Sequence, residues 1–153
     1  VTTPAALELA VLDTNLLVYA LDQESAFHQV SRALLLKGTA RDSEERFGVT
    51  PQILAEFFAV VTDPRRVRNP RTPQEALDAV ERLMALPGLA VLAIPVDIVP
   101  RWVALARQYP IRGPEVFDMQ LVATMLANGV RRIYTFNRGH FAHFSEIEAV
   151  TPQ

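Results

Sequence analysis

Leu9-Ala10-Val11-Leu12 runs unbroken into Asp13-Thr14-Asn15, and a second apolar segment, Leu16-Leu17-Val18-Tyr19-Ala20, follows at once. A short continuous apolar run closed by a polar break has the character of a strand buried on both faces. The break starts a helix and leaves a carboxylate at the strand's carboxyl end, where open α/β sheets bind ligands. Asp13 is therefore the first candidate in a set of metal-binding acids, whose partners later segments would bring alongside.

Those segments alternate in type. A helix is expected over residues 26–37, started by Ser25 or a neighbour and stopped by Gly38. Residues 39–46 are a polar surface loop, and Phe47-Gly48-Val49 is a short strand. Thr50-Pro51 supplies a capping hydroxyl and a first-turn proline for a helix from Gln52 to about Val61, with Glu56 at the edge of its apolar arc. Residues 62–71 form a proline-punctuated basic connection. Thr72-Pro73-Gln74-Glu75 has the form of a capping box, and its helix ends near Leu86. Residues 89–94 are an apolar strand; Asp97 is placed to cap a helix that reaches about Gln108. Residues 112–129 make a helix with proline and acids in its first turn and a glycine stop. A strand over residues 133–136 ends in Asn137, and the tail holds one helical turn and a last strand around Ala149-Val150. This alternation implies an α/β chain with a mainly parallel sheet, helices on its faces and right-handed crossovers. With no repeat or linker, one domain over residues 1–153 is expected.

A chain of 153 residues, 50% hydrophobic and 21% charged, is large enough for one buried core. The absence of cysteine excludes a disulfide framework, a thiolate nucleophile and a thiolate metal site. No basic stretch followed by a long apolar one opens the sequence, and no run approaches a membrane span, so a soluble, cytoplasmic protein is expected. The net charge of −2 argues against polyanion binding driven by overall charge. Lys37 aside, every basic residue is arginine, whose planar fork suits phosphate, although a GC-rich genome gives the same bias.

Singly, each acid also has a structural explanation. Asp13 can cap the following helix, Glu56 can be a solvated edge residue, and Asp118 can complement a helix dipole for ~0.3–1 kcal/mol. In a parallel α/β layer these three and Asn137 can converge on the carboxyl edge of the sheet. An oxygen-only cluster there suits Mg²⁺ or Mn²⁺ and the hydrolysis of a phosphodiester. Competing chemistries lack their motifs: there is no G-x-x-x-x-G-K-[ST] loop, no G-x-G-x-x-G and no G-x-S-x-G elbow.

Residues 11–20 resemble the opening motif of the PIN-domain ribonucleases, Ile53-Leu54-Ala55-Glu56-Phe57 their second, residues 113–123 around Asp118 their third, and residues 134–141 their fourth. Within that family the chain is most similar to VapC-type toxins of toxin–antitoxin pairs. The resemblance implies a three-layer α/β/α PIN-like fold and a divalent-metal-dependent endoribonuclease. It maps metal ligands onto Asp13 and Asp118, with Glu56 as third acid, a cognate antitoxin and a homodimer. Where many relatives carry a fourth acid, this sequence has Asn137 and His140. Three carboxylates suffice for one ion; Asn137 is then a candidate for orienting a metal-bound water through its amide. His140 is either a phosphate or metal contact or an exposed loop residue. Thr14, Asn15 and Thr135 are near enough to position water or substrate. Arg65, Arg66, Arg68 and Arg71, with Arg112 and Arg138 nearer the acids, are the candidates for tracking an RNA backbone. Structured or single-stranded RNA suits a recessed acidic site better than duplex. The missing acid also leaves open a PIN-like module that binds RNA or a protein partner without cleaving.

Overall fold

The computed structural model describes residues 8–40 and 42–153. The first seven residues of the expected domain, and Arg41 of the expected loop, lie outside the described residues.

Five strands form one sheet. β1 (Glu8–Leu12) pairs with β2 (Glu45–Val49) on one side and β4 (Arg132–Tyr134) on the other. β3 (Leu89–Val91) lies outside β2, and β5 (Glu148–Val150) outside β4, so the order is β3-β2-β1-β4-β5 and every pairing is parallel. The chain steps outward from β1 to β3, returns across the sheet to β4, and steps outward again. Right-handed crossovers in opposite directions put the two sets of helices on opposite faces. α1 (Thr14–Leu21) packs on α2 (His28–Lys37) and α3 (Pro51–Val61), and α3 on α4 (Pro73–Ala85). The return set, α5 (Ile98–Gln108) and α6 (Glu115–Ala127), packs as a pair. The result is the three-layer α/β/α arrangement expected for a PIN-like fold, with a parallel sheet at its centre.

The core fills around β1. Val11 and Leu12 are fully buried, as are Leu16 from α1, Ile53 and Phe57 from α3, Ile133 from β4, and Met119 and Val122 from α6. Burying one such side chain contributes ~1.5–3 kcal/mol. From Met119 to Met125 only Gln120 of α6 is less than buried, the pattern of a helix sunk in the core. Local chemistry fixes the helix starts: Thr50 Oγ1 accepts the Ile53 N–H at 3.1 Å. At α4, Thr72 and Glu75 exchange both bonds of a capping box. Among the described residues no helix is long and apolar enough to cross a membrane.

Several boundaries differ from expectation, each for a pairing reason. β3 stops at Val91 rather than residue 94 because β2, its one partner among the described residues, ends where Thr50 turns into α3; Leu92 N–H still reaches Val49 O at 2.8 Å, and Pro95 follows. β4 stops at Tyr134 because β1 ends at Leu12 and the chain then turns at Asp13. Thr135 nevertheless donates its N–H to Val150 O at 2.9 Å. α2 begins at His28, since the Ser25 hydroxyl is spent on a local turn, accepting the Phe27 N–H at 3.1 Å. Asp97 sits at the cap position of α5 but makes no capping bond; it holds Arg101 at 2.9 Å instead.

Candidate active site

The chain leaves β1 toward one edge of the sheet and β4 toward the other, so the carboxyl ends of these neighbouring strands flank a switch point, where such sheets open a crevice. Asp13 stands there. Its N–H donates to Tyr134 O at 3.0 Å, tying the β1 and β4 ends together. Its carboxylate caps α1: Oδ1 accepts the Thr14 N–H at 2.8 Å and Oδ2 accepts the Thr135 hydroxyl at 2.7 Å. Burial raises the Asp13 pKa above the ordinary carboxylate value, and the Glu56 charge adds to this; the Thr135 and Thr14 hydrogen bonds and His140 oppose it. Cap and candidate ligand are thus one residue.

Glu56 lies one and a half turns into α3 and is exposed. Its two oxygens are held separately: Oε2 accepts the Thr14 hydroxyl at 3.0 Å, and Oε1 accepts the Gln52 amide at 3.1 Å. Gln52 also donates to Phe117 O at 3.3 Å and accepts from Gln120 at 3.1 Å. A chain of side chains therefore joins α1, α3 and α6 around the carboxylates. Asp118, in the first turn of α6, is half-buried, and desolvation raises its pKa. His140 pulls that pKa down, while Asp13, Glu56 and Glu115 push it up, so the three acids share one electrostatic environment.

Of the residues expected at the site, Asp13 and Glu56 are bridged by Thr14, and Asp118 lies within reach of the charge of both. Asn137 lies beside them through its backbone: its N–H donates to Thr135 Oγ1 at 2.9 Å, while its exposed side chain makes no hydrogen bond among the described residues. His140 Nδ1 stands 3.6 Å from Asp118 Oδ2. Asn15 Oδ1 accepts the Phe136 N–H at 3.4 Å, an anchoring role for the backbone after β4. Gln52 was not singled out from the sequence; its position four residues before Glu56 on the same helix edge was the available signal. The arginine-rich connection is placed elsewhere. Arg71 bonds Leu21 O and Val61 O, at the far ends of α1 and α3, and the eight residues of α1 put that ~12 Å from Asp13. Arg65 is engaged by Asp63.

Among the described residues no three Asp, Glu or His side chains stand close enough to form a ready-made metal group. The donor chemistry still fits a hard divalent ion. All donors are carboxylate oxygens, and two of the three acids are strained by burial and by one another's charge, which a cation relieves. Mg²⁺ binds through one or two carboxylates and keeps several waters, so a three-acid cage is not required.

The parallel sheet order, with helices on both faces, belongs to a known class of domain. Residues 10–147 match the PIN domain, and the chain belongs to the PIN-domain family. It is closely related to the VapC-type toxin–antitoxin ribonucleases. VapC ribonuclease Mb2897 of Mycobacterium bovis is 32% identical over 139 residues, covering 89% of this chain and 90% of that protein. In fold, the crystal structure of Mycobacterium tuberculosis VapC20, a sarcin-ricin loop cleaving toxin, matches with a TM-score of 0.64 at 16% identity, over 92% of this chain and 98% of that one. A toxin–antitoxin complex from Klebsiella pneumoniae contains a chain matching with a TM-score of 0.60 at 19% identity, over 94% and 98%.

Proposed function

We propose that this protein is a divalent-metal-dependent endoribonuclease and the toxin of a toxin–antitoxin pair. What supports this is Asp13 at the switch point of a PIN-domain sheet, with Glu56 and Asp118 near enough for their charges to act on one another. Asp13 and Asp118 are the residues that would hold Mg²⁺ or Mn²⁺, with Glu56 beside them, and such an ion would supply positive charge to offset that of the phosphate. Thr14 and Thr135 fix the Asp13 carboxylate, and Thr14 with Gln52 fixes Glu56, so the acids are pre-oriented before RNA arrives. Glu56, exposed to solvent, accepts a proton from the attacking water as its oxygen bonds to phosphorus. The bond from phosphorus to the leaving ribose oxygen breaks, and that oxygen takes a proton from solvent.

Purified protein is expected to cut total RNA in Mg²⁺ or Mn²⁺ and to stop in EDTA. Asp13→Asn and Asp118→Asn, which keep the shape of the side chains, are expected to lower cleavage at least ~100-fold, the scale of losing one electrostatic stabiliser. Equal cleavage by wild type and both variants, with or without EDTA, overturns the proposal. A second function is favoured by Asn137 and His140 at the acid-poor corner: RNA binding without cleavage. Metal-independent RNA retention with no products at any Mg²⁺ or Mn²⁺ concentration supports it over the first.

The proposed partners are RNA, a cognate antitoxin and a second copy of the chain. The Klebsiella complex supports the antitoxin. For the homodimer, Val91, Ile94, Val96 and Val99 form an exposed apolar run leading into α5, with Val96 fully exposed. Sedimentation is expected to show a dimer for the wild type and a monomer for Val96→Glu, a surface substitution that costs the fold within ~0.5 kcal/mol. Dimers from both proteins place the interface elsewhere.

A further inference from the structure

Beside the acids, between the start of α6 and the turn at residues 138–140, lies a cavity of about 490 Å³. Asp118 forms part of its wall, with Ile111, Pro114, Glu115, His140 and His143 around the rest. Its size falls in the range of small-molecule sites. A larger cavity of about 670 Å³ sits among Glu8, Val130 and Arg132 at the amino ends of the strands, away from the acids.

We propose that the 490 Å³ cavity holds the nucleobase next to the scissile phosphate, and that it favours guanine over uracil. This rests on the ribonuclease function proposed above and deepens it by naming a base-selective subsite.

Three observations support it. The first is a preset flat surface. His143 is exposed, yet its ring lies 4.0 Å from Phe144 and 6.0 Å from Tyr109, centroid to centroid. The Tyr109 hydroxyl is itself anchored on Glu146, at 2.9 Å and 3.1 Å. An imidazole held this way presents a stacking face at little entropic cost, which is how unpaired bases are bound. The second is charge. Two carboxylates, Glu115 and Asp118, line the cavity, so a phosphate is repelled while an uncharged heteroaromatic ring is accepted. The third is the selectivity of Glu115. Its Oε2 accepts the Arg112 N–H at 3.0 Å, which fixes a group that only accepts hydrogen bonds. Guanine offers it adjacent N1–H and N2–H donors. Uracil offers one N–H between two carbonyls, which a carboxylate disfavours.

The test uses the full chain without metal and reads imidazole resonances by NMR during titration with GMP, UMP and ribose 5-phosphate. The chain has three histidines, and His28, at the start of α2, lies outside the cavity and serves as internal control for both folding and specificity. GMP is expected to shift His140 and His143 saturably and leave His28 unmoved. UMP is expected to bind roughly tenfold more weakly, and ribose 5-phosphate to give no shift. His143→Ala should weaken GMP roughly tenfold, the scale of one lost stacking partner. Glu115→Gln should remove the preference for GMP over UMP. The proposal falls if GMP gives no shift at His140 or His143, if ribose 5-phosphate reproduces the GMP shifts, or if Glu115→Gln keeps the preference. Cleavage of RNA is measured in parallel. GMP shifts without cleavage leave the base site standing and remove the nuclease. Metal-dependent cleavage whose base preference is unchanged in Glu115→Gln leaves the nuclease standing and removes the base site.

Discussion

As the cap of α1, the Asp13 carboxylate accepts the Thr14 N–H; as a partly buried acid within reach of the charges of Glu56 and Asp118, it is held in a setting that disfavours its own charge. Capping stabilises the helix by ~1 kcal/mol, but an Asn cap does this equally well and without the charge. The balance has a testable sign. A carboxyl whose folded pKa lies above its unfolded value contributes stability that is complete below the unfolded pKa, about 3.8 for Asp, and is lost as pH rises through the folded value. Asp13→Asn should therefore be more stable than the wild type at pH 7 without metal, and the gap in urea midpoint should close as pH falls toward the unfolded value. A gap that stays constant with pH removes burial of charge as its cause. Thr135 is the other decisive residue here. It is fully buried, donates to Asp13 Oδ2 and accepts the Asn137 N–H, so one hydroxyl serves both sides of the crevice. Thr135→Val leaves a carboxylate oxygen and a backbone N–H without partners and should cost about 1–3 kcal/mol in urea unfolding, with Thr135→Ser recovering most of it. From the sequence, Asp13 was equally a cap and a ligand candidate; the structure makes it the cap, and the charges of Glu56 and Asp118 close enough to act on it are what support the second role.

Element lengths were the least legible part of the sequence. The apolar run at residues 89–94 has a strand's composition throughout, yet only Leu89–Val91 is strand, because an edge strand extends no further than its neighbour does. Which neighbour it has is a long-range fact that local composition does not carry. Helix starts were legible where a side chain decides them, at Thr50 and Thr72, and not at Ser25, whose hydroxyl closes a turn first. Similarly, Glu56 was legible as an edge residue of α3, but its connection through Gln52 to α6 depends on how two helices from opposite halves of the chain meet. Gln52→Ala removes that connection at the surface, where stability losses stay near 0.5 kcal/mol. It should nonetheless lower cleavage by roughly tenfold, with the loss in kcat rather than KM, because Glu56 loses its hold while the RNA surface is unchanged. A loss confined to KM would make Gln52 an RNA contact instead.

Across the whole molecule, the alternation of segments was enough to give the parallel sheet, and the sheet order then brings the acids to one crevice. Charge is arranged on a larger scale than the site. The net charge is −2, and the charged groups acting on Asp118 are Asp13, Glu56, Glu115 and His140, with no arginine among them. A polyanion approaching such a surface must be held by local arginine groups while its scissile phosphate enters an acidic recess. Arg66 and Arg68 on the connection after α3 are exposed, and no salt bridge among the described residues engages them, unlike Arg65, which Asp63 occupies. If they hold phosphates about a helix length from the acids, each contributes ~0.7 to the slope of log affinity against log salt for a single strand. The pair Arg66→Ala/Arg68→Ala should flatten that slope by roughly 1.4 and weaken RNA binding at 0.1 M salt, while cleavage at saturating RNA stays at the wild-type rate. An unchanged slope would take the connection off the RNA path and leave Arg112 and Arg138, on segments adjoining the acids, as the basic residues that meet the backbone.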